Sequence, residues 1–198
     1  MQKPARRKGV SIHVTPLLRA GFCMGLRFDN PKRGDILILQ YEYKNMSVNE
    51  DLAKYAGLWS GTNKLYLSWM PVALKESESK LNVSLKANRQ FVAFEYTWAY
   101  EGGPQEGLIL LGCDTKSDAV QTVWTDSWHS SHTFMLSDGT VADDGSVSVK
   151  GYYKVKDHPD WGWRTDIVPN GDSLRIVMYN VSPDDDEEPA VETDFTRI

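Results

Sequence analysis

The 198-residue sequence predicts an all-β fold, an up-and-down antiparallel β-barrel of about ten strands with a short N-terminal helix and an N-terminal extension. Three observations carry this. From Trp59 onward the apolar residues recur with period two almost everywhere, the signature of strands with one buried face. The segments between these runs are rich in the residues that turns need, as in "EGGPQEG", "SDGT", "DDGS" and "PNGD". No long helical pattern interrupts the series. Many successive antiparallel strands must hide their edges, and closing into a barrel does so most completely. An open sandwich is the alternative architecture.

The first 45 residues read as a separate part. They hold nine Lys and Arg against three acids, a net of +6, whereas the whole chain carries −5 and the remainder therefore −11. "MQKPARRKGVSIHVTPLLRAGFCMG" is basic with a weak apolar stretch that Arg19 interrupts, a poor signal peptide. Ile36 to Tyr43 can form one strand. A basic N-terminal extension over residues 1–45, disordered or not native, is expected to precede a barrel domain over residues 46–198, with Met46 as its natural start. The competing reading is a basic arm that touches anionic surfaces. Ser47 and Glu50 then form a capping box for a short helix that Gly57 would end.

The strands follow in order. Trp59, Leu65 and Leu67 share a face opposite Ser60, Thr62 and Lys64. In "SKLNVSLKA" Leu81, Val83 and Leu85 point one way, and in "QFVAFEYTWAY" Val92, Phe94, Tyr96, Trp98 and Tyr100 lie together. "GLILLGCD" is a continuous apolar run that reads as a strand covered on both sides. "AVQTVWTDSW" and "SHTFMLSD" come next. "GSVSVKGYYKV" sets Val147, Val149, Tyr153 and Val155 against Ser148, Lys150 and Lys154. "WGWRTDIV", "SLRIVMYNV" and "AVETDFTRI" complete the ten. A barrel of this strand count is wide enough to hold a small ligand.

Composition narrows the function classes. An acidic barrel repels phosphate backbones, which argues against nucleic acid as a partner. No run reaches the roughly 20 apolar residues of a membrane-spanning helix, so no membrane span is expected. Cys23 and Cys113 are too few for a disulfide framework, and a reducing cytoplasm is the expected compartment; a secreted protein with one bridge is the alternative. Seven Trp and nine Tyr suit the walls of an apolar cavity. The expected partner is a small apolar or aromatic molecule, and a homodimer is left open.

Gly57-Leu58-Trp59 at the first strand and Arg197 in "TDFTRI" at the last resemble the calycin pattern of lipocalins and fatty-acid-binding proteins. In that superfamily the Trp packs across the barrel end beneath the Arg, so the resemblance implies barrel closure by Trp59 and Arg197. Alternation agrees, since Arg197 shares a face with Phe195, Thr193 and Val191. "GLWSG", "GLILLGCDTKSDAV" and "TVWTDSW" more closely resemble a family of bacterial lipocalin-like domains of unknown function, over about residues 47–198. That resemblance implies a barrel and no established activity. The haem-binding nitrobindin-type barrels share the Gly-x-Trp-x-Gly start, but their proximal-His segment has no counterpart here, and no cofactor is expected.

The densest polar cluster is "TDSWHSSH". Asp126, His129 and His132 are the residue types of a metal site, yet on a continuous strand His129 points away from the other two, and a polar hairpin tip is the favoured reading. No metal is expected. Asp126 shares a face with Trp124 and Trp128, where desolvation would raise its pKa. His158 falls in a loop, and "SPDDDEEP" lacks the spacing of a calcium loop. Nucleophile elbows and phosphate loops are absent. Two functions follow. One is a binding barrel lined by Phe94, Tyr96, Trp98, Trp124, Trp128, Trp161 and Trp163, with Arg164, Asp126 or a His orienting the ligand. The other is an isomerase-, cyclase- or decarboxylase-like enzyme with Asp126 or Glu95 as base and His129, His132 or Arg164 stabilising negative charge. A filled structural barrel is a third. The pair Arg164/Asp166 also reads as an exterior ion pair.

Overall fold

The computed structural model describes residues 50–68, 74–114, 117–130 and 132–198. These belong to one of two units into which the chain divides, Tyr43–Ile198. The expected strand over Ile36–Tyr43, the boundary at Met46 and the Ser47 cap lie outside the described residues.

A one-turn helix, α1 (Glu50–Ala53), leads into ten strands: β1 (Gly57–Tyr66), β2 (Leu74–Lys86), β3 (Phe91–Tyr100), β4 (Gly103–Cys113), β5 (Ala119–Asp126), β6 (Met135–Val141), β7 (Val147–Tyr153), β8 (Trp161–Asn170), β9 (Ser173–Val181) and β10 (Glu187–Arg197). Each pairs antiparallel with its chain neighbours, and β10 returns to β1 to close the barrel. The closing register sets Trp59 opposite Arg197 and Leu65 opposite Val191. No helix among the described residues is long and apolar enough to cross a membrane.

Period-two alternation decides what fills the interior. Trp59, Leu81, Val83, Phe94, Ile109, Leu111, Ile167, Leu174 and Phe195 are buried in one continuous core. The run Leu108–Leu111 departs from the expectation of cover on both faces. Ile109 and Leu111 are buried inward, while Leu108 and Leu110 on the outer face are only half-buried.

Turn chemistry explains three of the nine hairpins directly. Gly102, Gly145 and Gly171 sit at positive φ in the β3–β4, β6–β7 and β8–β9 turns. "SDGT" is a correction. Those residues lie inside β6, paired with Ser148 to Gly151. Gly139 is there because the neighbouring strand comes close: a Cβ would meet the Ser148 carbonyl and come within 2.7 Å of the Val149 Cα. The β2–β3 turn has no glycine and passes through Ala87, Asn88 and Arg89, all with left-handed φ.

Two ends result. At one, where β1 begins and β10 finishes, α1 and the residues after it lie across the opening. At the other, where β3 and β5 finish and β8 begins, aromatic side chains converge.

Candidate functional site

At the first end, Trp59 is 1 % exposed and its Nε1 donates to the Tyr55 carbonyl at 3.0 Å. The Arg197 guanidinium lies 4.2 Å above the indole ring. Its Nη1 and Nη2 donate to the Ala56 and Lys54 carbonyls, each at 2.8 Å, just past the end of α1. Gly57 makes room for this, since a Cβ there would sit 2.6 Å from Arg197 Nη1. The Gly-x-Trp motif and the last-strand Arg are therefore one contact, in which glycine clears the path for the cation that stacks on the indole.

At the second end the centre is Asp126, the last residue of β5 and 2 % exposed. Its two oxygens face different ways. Oδ1 accepts from the Trp128 and His129 backbone N–H groups at 2.9 and 3.0 Å and from His129 Nδ1 at 3.1 Å. This turns the chain at once and places the imidazole, the local bonding that short acidic side chains favour at turns. Ser130 fastens the same turn, its Oγ accepting from the Asp126 N–H at 2.7 Å and donating to the Asp126 carbonyl at 2.9 Å. Oδ2 reaches over β4 to β3, accepting from the Tyr96 hydroxyl at 3.0 Å and Trp98 Nε1 at 3.1 Å. Trp124 Nε1 donates to the Tyr96 oxygen at 2.8 Å.

Gly107 permits the Tyr96 bond. In register it lies between Tyr96 on β3 and Asp126 on β5. The Tyr96 ring passes over it, so that a Cβ at Gly107 would come within 2.7 Å of Tyr96 Cε2. Gly107 does not stand out in the sequence, whereas a turn at Ser130–Ser131 is the one expected way to bring His129 and His132 together. The signal for the first is a glycine interrupting the inward face of an apolar strand.

The His129 ring sits among indoles. Ring centroids lie 4.7 Å away for Trp128, 5.5 Å for Trp163, 5.6 Å for Trp98 and 5.7 Å for Trp124. Trp124 and Trp163 stack at 5.3 Å, 9° from parallel. Tyr100 packs on Trp128 at 5.3 Å. Such spacings are those of attractive aromatic contacts. Phe94 is fully buried below, and Trp161 is half-buried at the start of β8.

Burial pulls the Asp126 carboxyl upward, but the hydrogen bonds and charge of His129, with the Trp128 and His129 backbone donors, outweigh it and hold the group below the ordinary carboxylate range. The expectation of a raised pKa is thus corrected: the carboxylate accepts five hydrogen bonds, which favour its charged form. Tyr96 moves the other way, well above the usual phenol value, through burial and then the charge of Asp126. It is a donor that keeps its proton.

Other candidates lie elsewhere. Glu95 faces outward, accepting from Asn82 Nδ2 at 3.1 Å and paired with Lys86 at 3.7 Å, so alternation separates it from Tyr96. Arg164 also faces outward, bonded to Asp166 and, at 2.7 and 2.8 Å, to Glu187, with its guanidinium 4.1 Å over Tyr179. Trp163 beside it points inward. His132 is exposed, because the turn begins at Ser127 and delivers His129 instead; His158 is exposed in its loop. Among the described residues no group of three or more His, Cys, Asp or Glu side chains is placed to hold a metal. An open cleft of about 710 Å³ runs over the outer face where Lys80, Asn82, Glu95, Thr97, Glu106 and Thr125 project. Tyr96, Gly107 and Asp126 of the aromatic end also line it.

The fold and these ends define a class: a closed ten-stranded up-and-down barrel, plugged at one end and carrying a carboxylate–imidazole pair among aromatics at the other. Within that class the chain belongs to the family described as "Protein of unknown function (DUF1579)", whose model matches residues 45–197. Among solved structures it is similar to Rv2717c from M. tuberculosis, with 12 % identity, a TM-score of 0.56, and 75 % of this chain and 96 % of that one covered. The S-type phycobiliprotein lyase CPES from Guillardia theta is similar with 14 % identity, a TM-score of 0.49, and 78 % and 94 % covered. At 12 % identity the likeness to Rv2717c is one of fold. No curated protein matches the chain.

Proposed function

We propose that this barrel binds a small, mostly apolar molecule at its aromatic end, with His129 as the polar contact. One observation carries the reading: a single imidazole, 14 % exposed, is enclosed by four indoles and fixed by a buried carboxylate. Packing alone does not call for this arrangement, since burying a carboxylate carries a desolvation cost that its five hydrogen bonds must offset. Asp126 Oδ1 accepts a hydrogen bond from Nδ1–H, so Nε2 is the ring atom left to face a ligand. Aromatic walls with few converging polar groups are what small-molecule sites offer.

Titration with fatty acids, aromatic compounds and isoprenoids, read by Trp emission and native mass spectrometry, tests the reading. The expected result is a saturable emission change that Trp128→Leu reduces. An unchanged emission spectrum and a ligand-free mass across the panel reject it.

The Asp126–His129 geometry also favours a catalytic reading, in which His129 is the base and Asp126 positions it. Asp126 is then not the proton donor, because its carboxylate stays charged. Exchange of α-protons of a bound ketone into D₂O, abolished in Asp126→Asn with folding retained, is the expected result. Equal exchange in both proteins rejects it.

A further inference from the structure

Trp163 Nε1 is buried and has no hydrogen-bond partner, and Trp163 as a whole is 8 % exposed. Buried donors are rarely left this way, because an unsatisfied group keeps its full desolvation cost. The indole also differs from the other buried tryptophans: Trp59, Trp98 and Trp124 all place their N–H on an oxygen.

The surroundings of Trp163 are polar in a particular row. Cross-strand pairing aligns Thr122, Ser137, Gly151, Trp163 and Asn180 across β5 to β9. All face inward. Thr122 and Ser137 are buried hydroxyls. Gly151 lies between Ser137 and Trp163 and offers no side chain. The space a Cβ would take there is approached by Ser137 Oγ and by Met135, whose Cγ and Sδ would each lie 2.7 Å away. Met135 is flexible and only partly buried, a side chain able to yield that space. Asn180, beyond Trp163, is already engaged, its Oδ1 accepting from the Tyr153 hydroxyl at 2.6 Å.

We infer that this row is the polar subsite of the ligand site, and that it takes a neutral, planar molecule through a carbonyl oxygen that accepts from Trp163 Nε1. The inference rests on the binding reading above and names the ligand class. The oxygen completes the unpartnered indole, with the Ser137 hydroxyl, across Gly151 in the same row, as a second donor. The ring system replaces Met135 against the Trp124–Trp163 stack. Neutrality follows from the row itself, whose Thr122, Ser137 and Asn180 side chains are uncharged and offer an anion no counter-charge.

The test uses matched probes, 9-fluorenone with fluorene and 1-indanone with indane, each pair differing in the carbonyl. Binding is measured by calorimetry on the full chain and on Trp163→Phe, with the indole N–H resonances followed by NMR. A ketone preference of about tenfold in the wild type, reduced to about twofold in Trp163→Phe, supports the inference. So does a ketone-induced shift of the Trp163 N–H that the hydrocarbon does not cause. Equal affinity for ketone and hydrocarbon, with that resonance unmoved, overturns it and leaves the binding reading standing. The same unmoved resonance with a cross-peak to water assigns the donor to a bound water and overturns it too. If neither member of either pair binds, the carbonyl subsite is rejected, and the emission panel decides separately whether the binding reading falls with it. Because Trp163→Phe keeps an aromatic ring in place, an unchanged unfolding midpoint shows that lost ketone preference is not lost folding.

Discussion

The two ends of this barrel use similar materials and leave them in different states. Each sets a buried indole against an ionised side chain, the exposed Arg197 at one end and the buried Asp126 at the other. At the plugged end the account closes: Trp59 donates to Tyr55, Arg197 stacks on Trp59 and caps the carbonyls of Lys54 and Ala56. At the aromatic end Asp126 is saturated with donors, yet Trp163 Nε1 is unpartnered. A satisfied cluster stabilises the fold. An unsatisfied one beside it marks where something else can be accommodated, since natural interiors seldom leave a donor unmet without a reason.

That contrast can be broken by mutation, beginning with the plug. Trp59→Ala should cost about 3–5 kcal/mol of stability, the range for removing a fully buried large aromatic. Denaturant unfolding measures it, and a loss under 1 kcal/mol would show that the plug is not structural. At the other end, Asp126→Ala should cost about 2–4 kcal/mol, because it strands the donors of Tyr96, Trp98 and His129.

Asp126 also gives the aromatic end a pH dependence. Its folded-state pKa lies below the ordinary value of 3.8. The stability it contributes is therefore present above the unfolded pKa and is lost as pH falls through the lower folded one. Unfolding midpoints at about pH 6 and about pH 3 should fall further for the wild type than for Asp126→Asn. Equal falls would show that Asp126 is not the source.

Gly107→Ala is a smaller perturbation. Its methyl group meets the Tyr96 ring, and separating Tyr96 from Asp126 should cost about 1–3 kcal/mol, read as a lower unfolding midpoint. The least costly change should be Trp163→Phe, within about 0.5 kcal/mol of wild type, because the donor it deletes has no partner. Trp59→Phe loses a made hydrogen bond and should cost about 1 kcal/mol more than that. Equal costs would erase the difference between the two ends.

Much of this was legible in residue order. Strand number, the closed antiparallel architecture and the inward face of Phe94, Tyr96 and Trp98 follow from period-two alternation, which is a local property. The same rule puts Glu95 outside, one residue from Tyr96, and makes Arg164 an exterior partner of Asp166 while Trp163 points in. His129 was harder to place. Alternation along an assumed strand turned it away from Asp126, whereas the Asp126 side chain ends the strand by bonding the next N–H groups and brings His129 back to itself. "SDGT" misleads in the opposite direction, since turn-type residues are used inside a strand where backbones approach closely.

The sequence by itself determined a strand-rich chain with alternating faces, an acidic barrel region behind a basic start, and the pairing of Gly57, Trp59 and Arg197 as a motif. The tertiary structure alone decided that Tyr96 reaches Asp126 across Gly107, that four indoles surround His129, and that the buried Trp163 donor is unmet. The physical reason is range. Facing and turning depend on a residue and its near neighbours, while hydrogen-bond satisfaction and ionisation depend on strands distant in sequence that only barrel closure brings together.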